Sequence, residues 1–306
     1  MSPGNSKKIL RVGTRRSMLA KAQTQWVIDR IFHIHPQLKI EVLEVVTTGD
    51  KVLDTSLTLM PGKGVFVKEI EEKLLDGEID LAVHSMKDLP TESVPDLMIG
   101  AIPERADPRD VLVTRLHKNL EELPAGAKIG TGSLRRKAQL LKVRPDFDVI
   151  DIRGNIDTRL KKAETDDYDG LILAAAGLAR LKWQDRIQQF LSCELMIPAV
   201  GQGALGIEIR QDDEETGNLI APLNDRETEI AVKAERSFLE HLGGGCQTPM
   251  AAFCRVRSGK VVLQGFSANE HGKDFHREQL EGTLEEAMDL ASRLAESLLE
   301  KSGIKS

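Results

Sequence analysis

With 306 residues, 41% of them hydrophobic and 29% charged, the chain is long enough for two or three domains and has the composition of a soluble globular protein. A net charge of −6 argues against the broad basic surface of a nucleic-acid binder. No run approaches the roughly 18 apolar residues of a membrane span, and "MSPGNSKKILRVG" lacks the apolar core of a signal peptide, so a cytoplasmic location is expected.

The elements then follow in chain order. "ILRVG" reads as a short strand, and "SMLAKAQTQWVIDRIF" carries apolar residues at helical spacing. "LKIEVLEVV" is a strand, "VFVKEIEEKLL" a helix and "IDLAVHS" a buried strand. Such alternation favours a mostly parallel sheet covered by helices, an α/β architecture. The second part repeats the design. "VGTRRSMLAKAQ", residues 12–23, is echoed by "IGTGSLRRKAQ", residues 129–139: a strand end, Gly-Thr, a serine, then a helix with arginines in or beside its first turn. Ser17 and Ser133 are the expected N-caps. A capped helix start with an arginine beside it suits a carboxylate or phosphate, and two of them suggest two α/β lobes facing a shared cleft. Gly-Thr turns and capped helices also recur in α/β proteins without any ligand, and the echo alone does not separate the two readings. "GQGALG", residues 201–206, matches G-x-G-x-x-G, but "IEIRQDD" follows it with the alternation of a strand, which removes the helix a dinucleotide site requires.

Beyond about Asn224 the pattern changes. "ETEIAVKAERSFLEHL" is helical and ends at Gly243. "AAFCRVRSGKVVLQGFSA" reads as a hairpin turning at Ser258-Gly259. "TLEEAMDLASRLAESLLEKSG" opens with a capping box, Thr283 and Glu286, before a long amphipathic helix. A small α+β third domain is expected here.

Several residue groups could carry chemistry. The arginines cluster: Arg15 and Arg16, Arg135 and Arg136, Arg153 and Arg159. Local basic groups on an acidic protein point to a small anionic ligand. "AVHSMKDLP" ends a buried strand in Ser85, Lys87 and Asp88, at the strand end where α/β sheets place ligands; an aspartate near a lysine is equally a solvated loop pair. "MPGKGVFVKE" sets Lys63 between glycines with Phe66 beyond, a lid or simply a mobile loop. Cys193, Cys246 and Cys254 form no C-x-x-C pair, which argues against a disulfide framework. His33 with His35 and His271 with His276 lack zinc-site spacing, and no metal is expected. Cys246 stands after three glycines and past a helix C-terminus, where the dipole disfavours a thiolate. It suits a fast nucleophile poorly, and its residues alone allow a structural or incidental thiol. Cys193 and Cys254 read as core packing.

The motifs "VGTRRSMLA", "VVTTGD", "GKGVFVKEIE", "DLAVHSMKDLP", "IPERADPRD", "GTGSLRR", "DIRGNIDTRL", "LAAAGLARL", "PAVGQGALGIE" and "HLGGGCQTP" together resemble the porphobilinogen deaminase (hydroxymethylbilane synthase) family of tetrapyrrole biosynthesis, over nearly the whole chain and in order. Met18 stands where many members have proline, and Leu59 where some bacterial members carry a second lysine ahead of the glycine loop. The resemblance implies a transferase that joins four porphobilinogen units head to tail, releasing ammonia each time, and finally hydrolyses off hydroxymethylbilane. It implies a dipyrromethane cofactor held through a thioether to Cys246. By family position, Ser85, Lys87, Asp88, Thr131, Ser133, Arg135 and Arg136 hold that cofactor, while Arg15, Ser17, Gln23, Arg153, Arg159 and Arg180 hold substrate carboxylates. Lys63 and Phe66 belong to the lid loop. Asp88 would stabilise the azafulvene cation left by ammonia and manage the proton on the leaving amine and the pyrrole carbon.

The fold implied is three α/β domains: 1–103 with a returning segment 203–222, then 104–202, both resembling periplasmic-binding-protein lobes, then a small α+β domain 223–306. A monomer acting on a small molecule, with neither nucleic acid nor membrane as partner, is expected. Two rivals remain at this level. A non-enzymatic two-lobe anion-binding protein would give no reason for Cys246. A dinucleotide-dependent oxidoreductase built on "GQGALG" would need a helix that the sequence does not offer.

Overall fold

The structure, a computed structural model, describes residues 9–47, 67–243 and 249–303. In chain order they run β1 (Ile9–Arg15), α1 (Met18–Ile34), β2 (Lys39–Val45), α2 (Lys68–Leu75), β3 (Leu81–Ser85), β4 (Leu97–Ala101), β5 (Asp110–Val113), β6 (Lys128–Gly130), α3 (Leu134–Val143), β7 (Asp148–Ile150), α4 (Ile156–Ala163), β8 (Gly170–Ala174), α5 (Ala175–Arg180) and β9 (Gln189–Leu191). Then come β10 (Leu205–Arg210), α6 (Glu214–Ile220), α7 (Arg226–His241), β11 (Met250–Arg257), β12 (Lys260–Ser267), β13 (His276–Thr283) and α8 (Ala287–Ser302). They divide into two compact units, one within Met1–Arg105 and Ala204–Glu229, the other within Ala106–Gly203 and Ile230–Ser306.

The first unit holds a five-stranded sheet in the order β2-β1-β3-β10-β4. β1 pairs in parallel with β2 and β3, and β10 runs antiparallel to β3 and β4. The run Leu81–His84 is buried throughout because both faces of the sheet are covered. On one face α1 sets Val27 and Ile31 against Leu10, Val12, Leu81, Val83 and Ile207. On the other α2 sets Ile70 and Leu74 against Val45, Ala82 and Leu97.

The second unit repeats this plan in the order β7-β6-β8-β5-β9. β6 is parallel to β7 and β8, and β5 is antiparallel to β8 and β9. Both sheets are thus mostly parallel with one reversed strand in the fourth place. The unit also contains the antiparallel sheet β11-β12-β13. Alternation along β11 sends Ala252 and Cys254 to a core with Phe238 of α7 and Leu294 of α8, and Ala251 and Phe253 to a core with Ala138 of α3 and Cys193. Cys193 and Cys254 are both buried, as their core reading anticipates.

The hairpin turns where the sequence places it, with Ser258 at φ +51° and Gly259 at φ +73° between paired Arg257 and Lys260. Its continuation into β13 is not apparent in "HREQLEGT", whose residues alternate between exposed and half-buried at the sheet edge. The capping box is only half formed: the Glu286 carboxylate accepts from the Thr283 amide at 2.8 Å, but Thr283 ends β13 and α8 starts at Ala287, with Glu286 as its N-cap.

"GQGALG" leads into β10, a strand, so the dinucleotide reading is removed. Its glycines answer to packing. A Cβ on Gly203, at φ +88°, would lie 2.6 Å from the Ala106 carbonyl oxygen, and one on Gly206 would lie 2.4 Å from the Met86 sulfur. Gly203→Ala is therefore expected to lose about 1–3 kcal/mol to its backbone conformation and more to the carbonyl contact. Gly259→Ala, with nothing within 4 Å of the added Cβ, should lose only the conformational part. Urea midpoints of the two variants test this, and equal losses would contradict it.

Candidate active site

In each unit, taken by itself, candidate residues stand at or near the carboxyl ends of parallel strands, where α/β sheets leave ligand crevices. In the first unit Arg15 ends β1 half-buried, and Ser17 follows in extended conformation as N-cap of α1, its Oγ accepting from the Ala20 amide at 3.2 Å. One turn on, buried Gln23 donates from Nε2 to Ser85 Oγ, at the end of β3, at 2.7 Å. Thr24 donates to Thr14 at 2.8 Å beside it. The chain then turns through Met86–Asp88. Met86 is buried, its amide donating to the Ala204 carbonyl at 3.1 Å, and this leaves Lys87 and Asp88 exposed on the turn.

In the second unit the echo holds in three dimensions. Thr131 follows β6, its hydroxyl accepting from the Ser133 amide at 3.3 Å. Ser133 caps α3 by accepting from the Arg136 amide at 3.4 Å. Arg135 and Arg136 follow in the first turn, only 8% and 6% exposed, and both converge on Asp110, which is 0% exposed at the start of β5. Asp110 Oδ2 accepts from Arg135 Nη1 at 2.7 Å, and Oδ1 accepts from Arg136 Nε at 3.0 Å and Nη2 at 2.7 Å. Gln202 Nε2 adds a further donor to Oδ1 at 3.0 Å. Arg135 Nη1 also donates to the Ile197 carbonyl and Arg136 Nη1 to that of Ile172.

Electrostatically the cluster is unbalanced. Two guanidiniums face one carboxylate, and Arg135 Nε is buried with no partner among the described residues. Burial pushes the Asp110 carboxyl up, but the two guanidiniums outweigh it and hold the group below the ordinary carboxylate range. Burial, with Arg136 alongside, pulls Arg135 below its usual value although Asp110 opposes this. A buried surplus of positive charge costs free energy unless an anion completes it.

Arg153, Arg159 and Arg180 belong to the same unit. Arg153, just past β7, donates from Nε and Nη2 to Asp151 at 2.9 and 2.6 Å. Arg159 in α4 donates from Nε to the Gly154 carbonyl at 2.8 Å. Arg180, the last residue of α5, donates to the Gly203 carbonyl at 2.8 Å, and burial pulls its guanidinium down to about 10. Cys246, Lys63 and Phe66 lie outside the described residues. Asp110 and Gln202 are the residues that sequence reading passed over. A lone aspartate opening the apolar run "DVLV" is the signal that could have marked the first.

Residues 10–218 match the family model described as "Porphobilinogen deaminase, dipyromethane cofactor binding domain", and residues 229–300 match "Porphobilinogen deaminase, C-terminal domain". The chain belongs to the porphobilinogen deaminase family. The porphobilinogen deaminase of Syntrophotalea carbinolica is 49% identical over 294 residues, covering 96% of this chain and 93% of that protein. That of Geobacillus kaustophilus is 50% identical over 295 residues, covering 96% and 94%. Among solved structures, the periplasmic aliphatic sulphonate binding protein SsuA from Escherichia coli aligns with 14% identity over 78% of this chain and 71% of its own, at a TM-score of 0.41. A likeness that low carries no conclusion about ligand. Among the described residues, no helix is long and apolar enough to cross a membrane.

The ionisation of Asp110 can be tested directly. Its folded value lies below that of an unfolded aspartate, about 3.9. Its contribution is therefore present above that value and lost as pH falls below it, by up to about 1.4 kcal/mol per pH unit. The stability advantage of the wild type over Asp110→Asn should shrink in urea titrations as pH falls below about 4. An advantage constant with pH would show that the carboxylate is not held ionised by the fold.

Proposed function

We propose that this member of the family is a hydroxymethylbilane synthase, a transferase that condenses four porphobilinogen molecules head to tail with release of ammonia and hydrolyses the product off as hydroxymethylbilane. The observation that carries this reading is the buried pair Arg135 and Arg136 with a single counter-charge and an orphaned Nε. Porphobilinogen units each bear an acetate and a propionate, and an arginine fork is the side chain best shaped to take a carboxylate by two parallel hydrogen bonds. The donor set thus fits a dipyrromethane cofactor, which when bound supplies the free pyrrole carbon from which a chain can grow.

The residues proposed to hold the cofactor are Arg135, Arg136, Ser133, Thr131, Ser85 and Lys87, with Cys246 as the thioether anchor. A thiol used once as an anchor needs space and permanence more than a low pKa, and the glycines before it supply the space. Arg15, Ser17, Gln23, Arg153, Arg159 and Arg180 are proposed to bind and orient substrate carboxylates. Arg180 supports this with a guanidinium whose pKa burial lowers. Lys63 and Phe66 are proposed to cover the site. Asp88, exposed beyond the end of β3, is proposed as the catalytic carboxylate. It would lie near the pyrrole N–H, stabilise the cation formed as ammonia leaves the substrate, and hold the proton exchanged with the amine and the pyrrole carbon. The lobes are proposed as 1–103 with 203–222 and 104–202, with 223–306 as the third domain, each span holding one of the three sheets. We further propose that the enzyme works as a monomer in the cytoplasm on a small molecule, in keeping with its net charge of −6.

The adduct gives the most direct test. Intact mass of the purified chain, expressed in cells that make porphobilinogen and kept reduced, should exceed the sequence mass by two linked pyrrole units, and Cys246→Ser should abolish the increment. A wild-type mass equal to the bare chain would sink the proposal.

Asp88→Asn, nearly isosteric, separates catalysis from binding. Losing one preorganised electrostatic partner costs roughly 10²–10³ in rate, so kcat should fall by about that factor while KM changes little. Normal turnover by the Asn variant would reduce Asp88 to a solvated loop residue.

A further inference from the structure

We infer that Asp110 and Gln202 are positioning residues for the cofactor arginines, and that presenting Gln202 to Asp110 is the use of the "GQG" turn. This rests on the proposal above that Arg135 and Arg136 hold cofactor carboxylates.

The geometry is specific. Oδ1 of Asp110 takes three donors, Arg136 Nε, Arg136 Nη2 and Gln202 Nε2, and Oδ2 takes Arg135 Nη1. Gln202 is itself aimed, because Nε2 also donates to the Pro108 carbonyl at 2.7 Å. It sits between Gly201 at φ +69° and Gly203 at φ +88°, so the backbone on either side of it is in the left-handed region that glycine favours. Arg135 is held at its Nη1 end twice, by Asp110 and by the Ile197 carbonyl. Gln139 fixes that carbonyl, donating to it at 3.1 Å and accepting from the Ile197 amide at 2.7 Å.

A guanidinium anchored through Nη1 can turn only its opposite edge, Nε with Nη2, toward another acceptor. That edge carries two parallel N–H bonds and matches a carboxylate. Its Nε is the buried donor left without a partner. Asp110 therefore does two things without touching ligand. It offsets one of two like charges, allowing both to be buried, and it decides which edge of Arg135 remains for an incoming anion. With its guanidinium misplaced by about 1 Å, an oriented site loses on the order of 10²-fold.

Positioning differs from mere structural support in what it moves. Intact mass gives the fraction of purified chains carrying the dipyrromethane adduct, circular dichroism reports folding, and kcat is taken per loaded chain. For Asp110→Asn and for Gln202→Met we expect a folded protein whose loaded fraction drops about tenfold or more. The kcat of the chains that do load should stay close to wild type. In an Arg135→Met background, Asp110→Asn should cost less than it does alone, because the part of its effect that runs through Arg135 is already lost and only the part through Arg136 remains. Full loading in both single variants would overturn the inference, as would an undiminished effect of Asp110→Asn without Arg135. If Asp110→Asn does not fold, Gln202→Met decides, since it leaves every charge in place: normal loading would overturn the inference, reduced loading with native dichroism would uphold it. A wild type without adduct would overturn both this inference and the proposed function, whereas a loaded wild type with fully loaded variants overturns the positioning role alone.

Discussion

One buried carboxylate governs the second unit. Asp110 is the point at which a reversed strand, the first turn of a helix and a glycine-flanked loop meet: the strand carries the carboxylate, and the helix and the loop supply the guanidinium and amide donors to its two oxygens. The first unit offers a contrast. There Arg11 and Arg210 share Asp80, and Arg210 also pairs with Asp213. The charges of these four side chains cancel, and they tie strand to strand. Around Asp110, among the described residues, two guanidiniums meet one carboxylate, with all three side chains almost fully withdrawn from water. Balanced clusters brace a fold, and an unbalanced buried one has an anion still to receive.

The sheets explain why such a cluster arises where it does. In each unit the parallel strands release their chain at one edge, and a helix starts there with a serine cap and an arginine or two at hand. The reversed strand brings its opposite end to that edge. In the second unit that end is Asp110, on β5, whose antiparallel pairing with β8 sets it level with Ala174. The acid that orients the arginines is thus delivered by strand direction.

Much of this was legible in the sequence. Apolar residues at helical spacing marked α1, and the serines at 17 and 133 announced the caps that they form. Alternation in "IEIRQDD" marked the strand that is β10, and "SG" between β-rich runs marked the hairpin. What escaped was whatever depends on partners distant in sequence. β13 is half-charged because it lies at an edge, and its pattern is that of a solvated segment until β12 is placed beside it. Glu286 caps a strand end as well as a helix start, a duty that local spacing does not distinguish. Asp110 is one acid among 48 Asp and Glu residues, and its two arginines lie 25 and 26 residues downstream. Its strand partners had to be known before its burial could be.

The position of β10 has a consequence for biosynthesis. It lies between β3 and β4, and among the described strands β4 pairs with β10 alone. A nascent chain that has emerged from the ribosome only as far as β9 therefore carries a three-stranded sheet with an open edge at β3 and a fourth strand without a neighbour. The sheet of the second unit, by contrast, needs nothing synthesised after Leu191. The portion of the chain made first is thus the portion whose sheet closes later, and until residues 205–210 arrive the β3 edge is the place where a chaperone, or an aggregating neighbour, finds its opening.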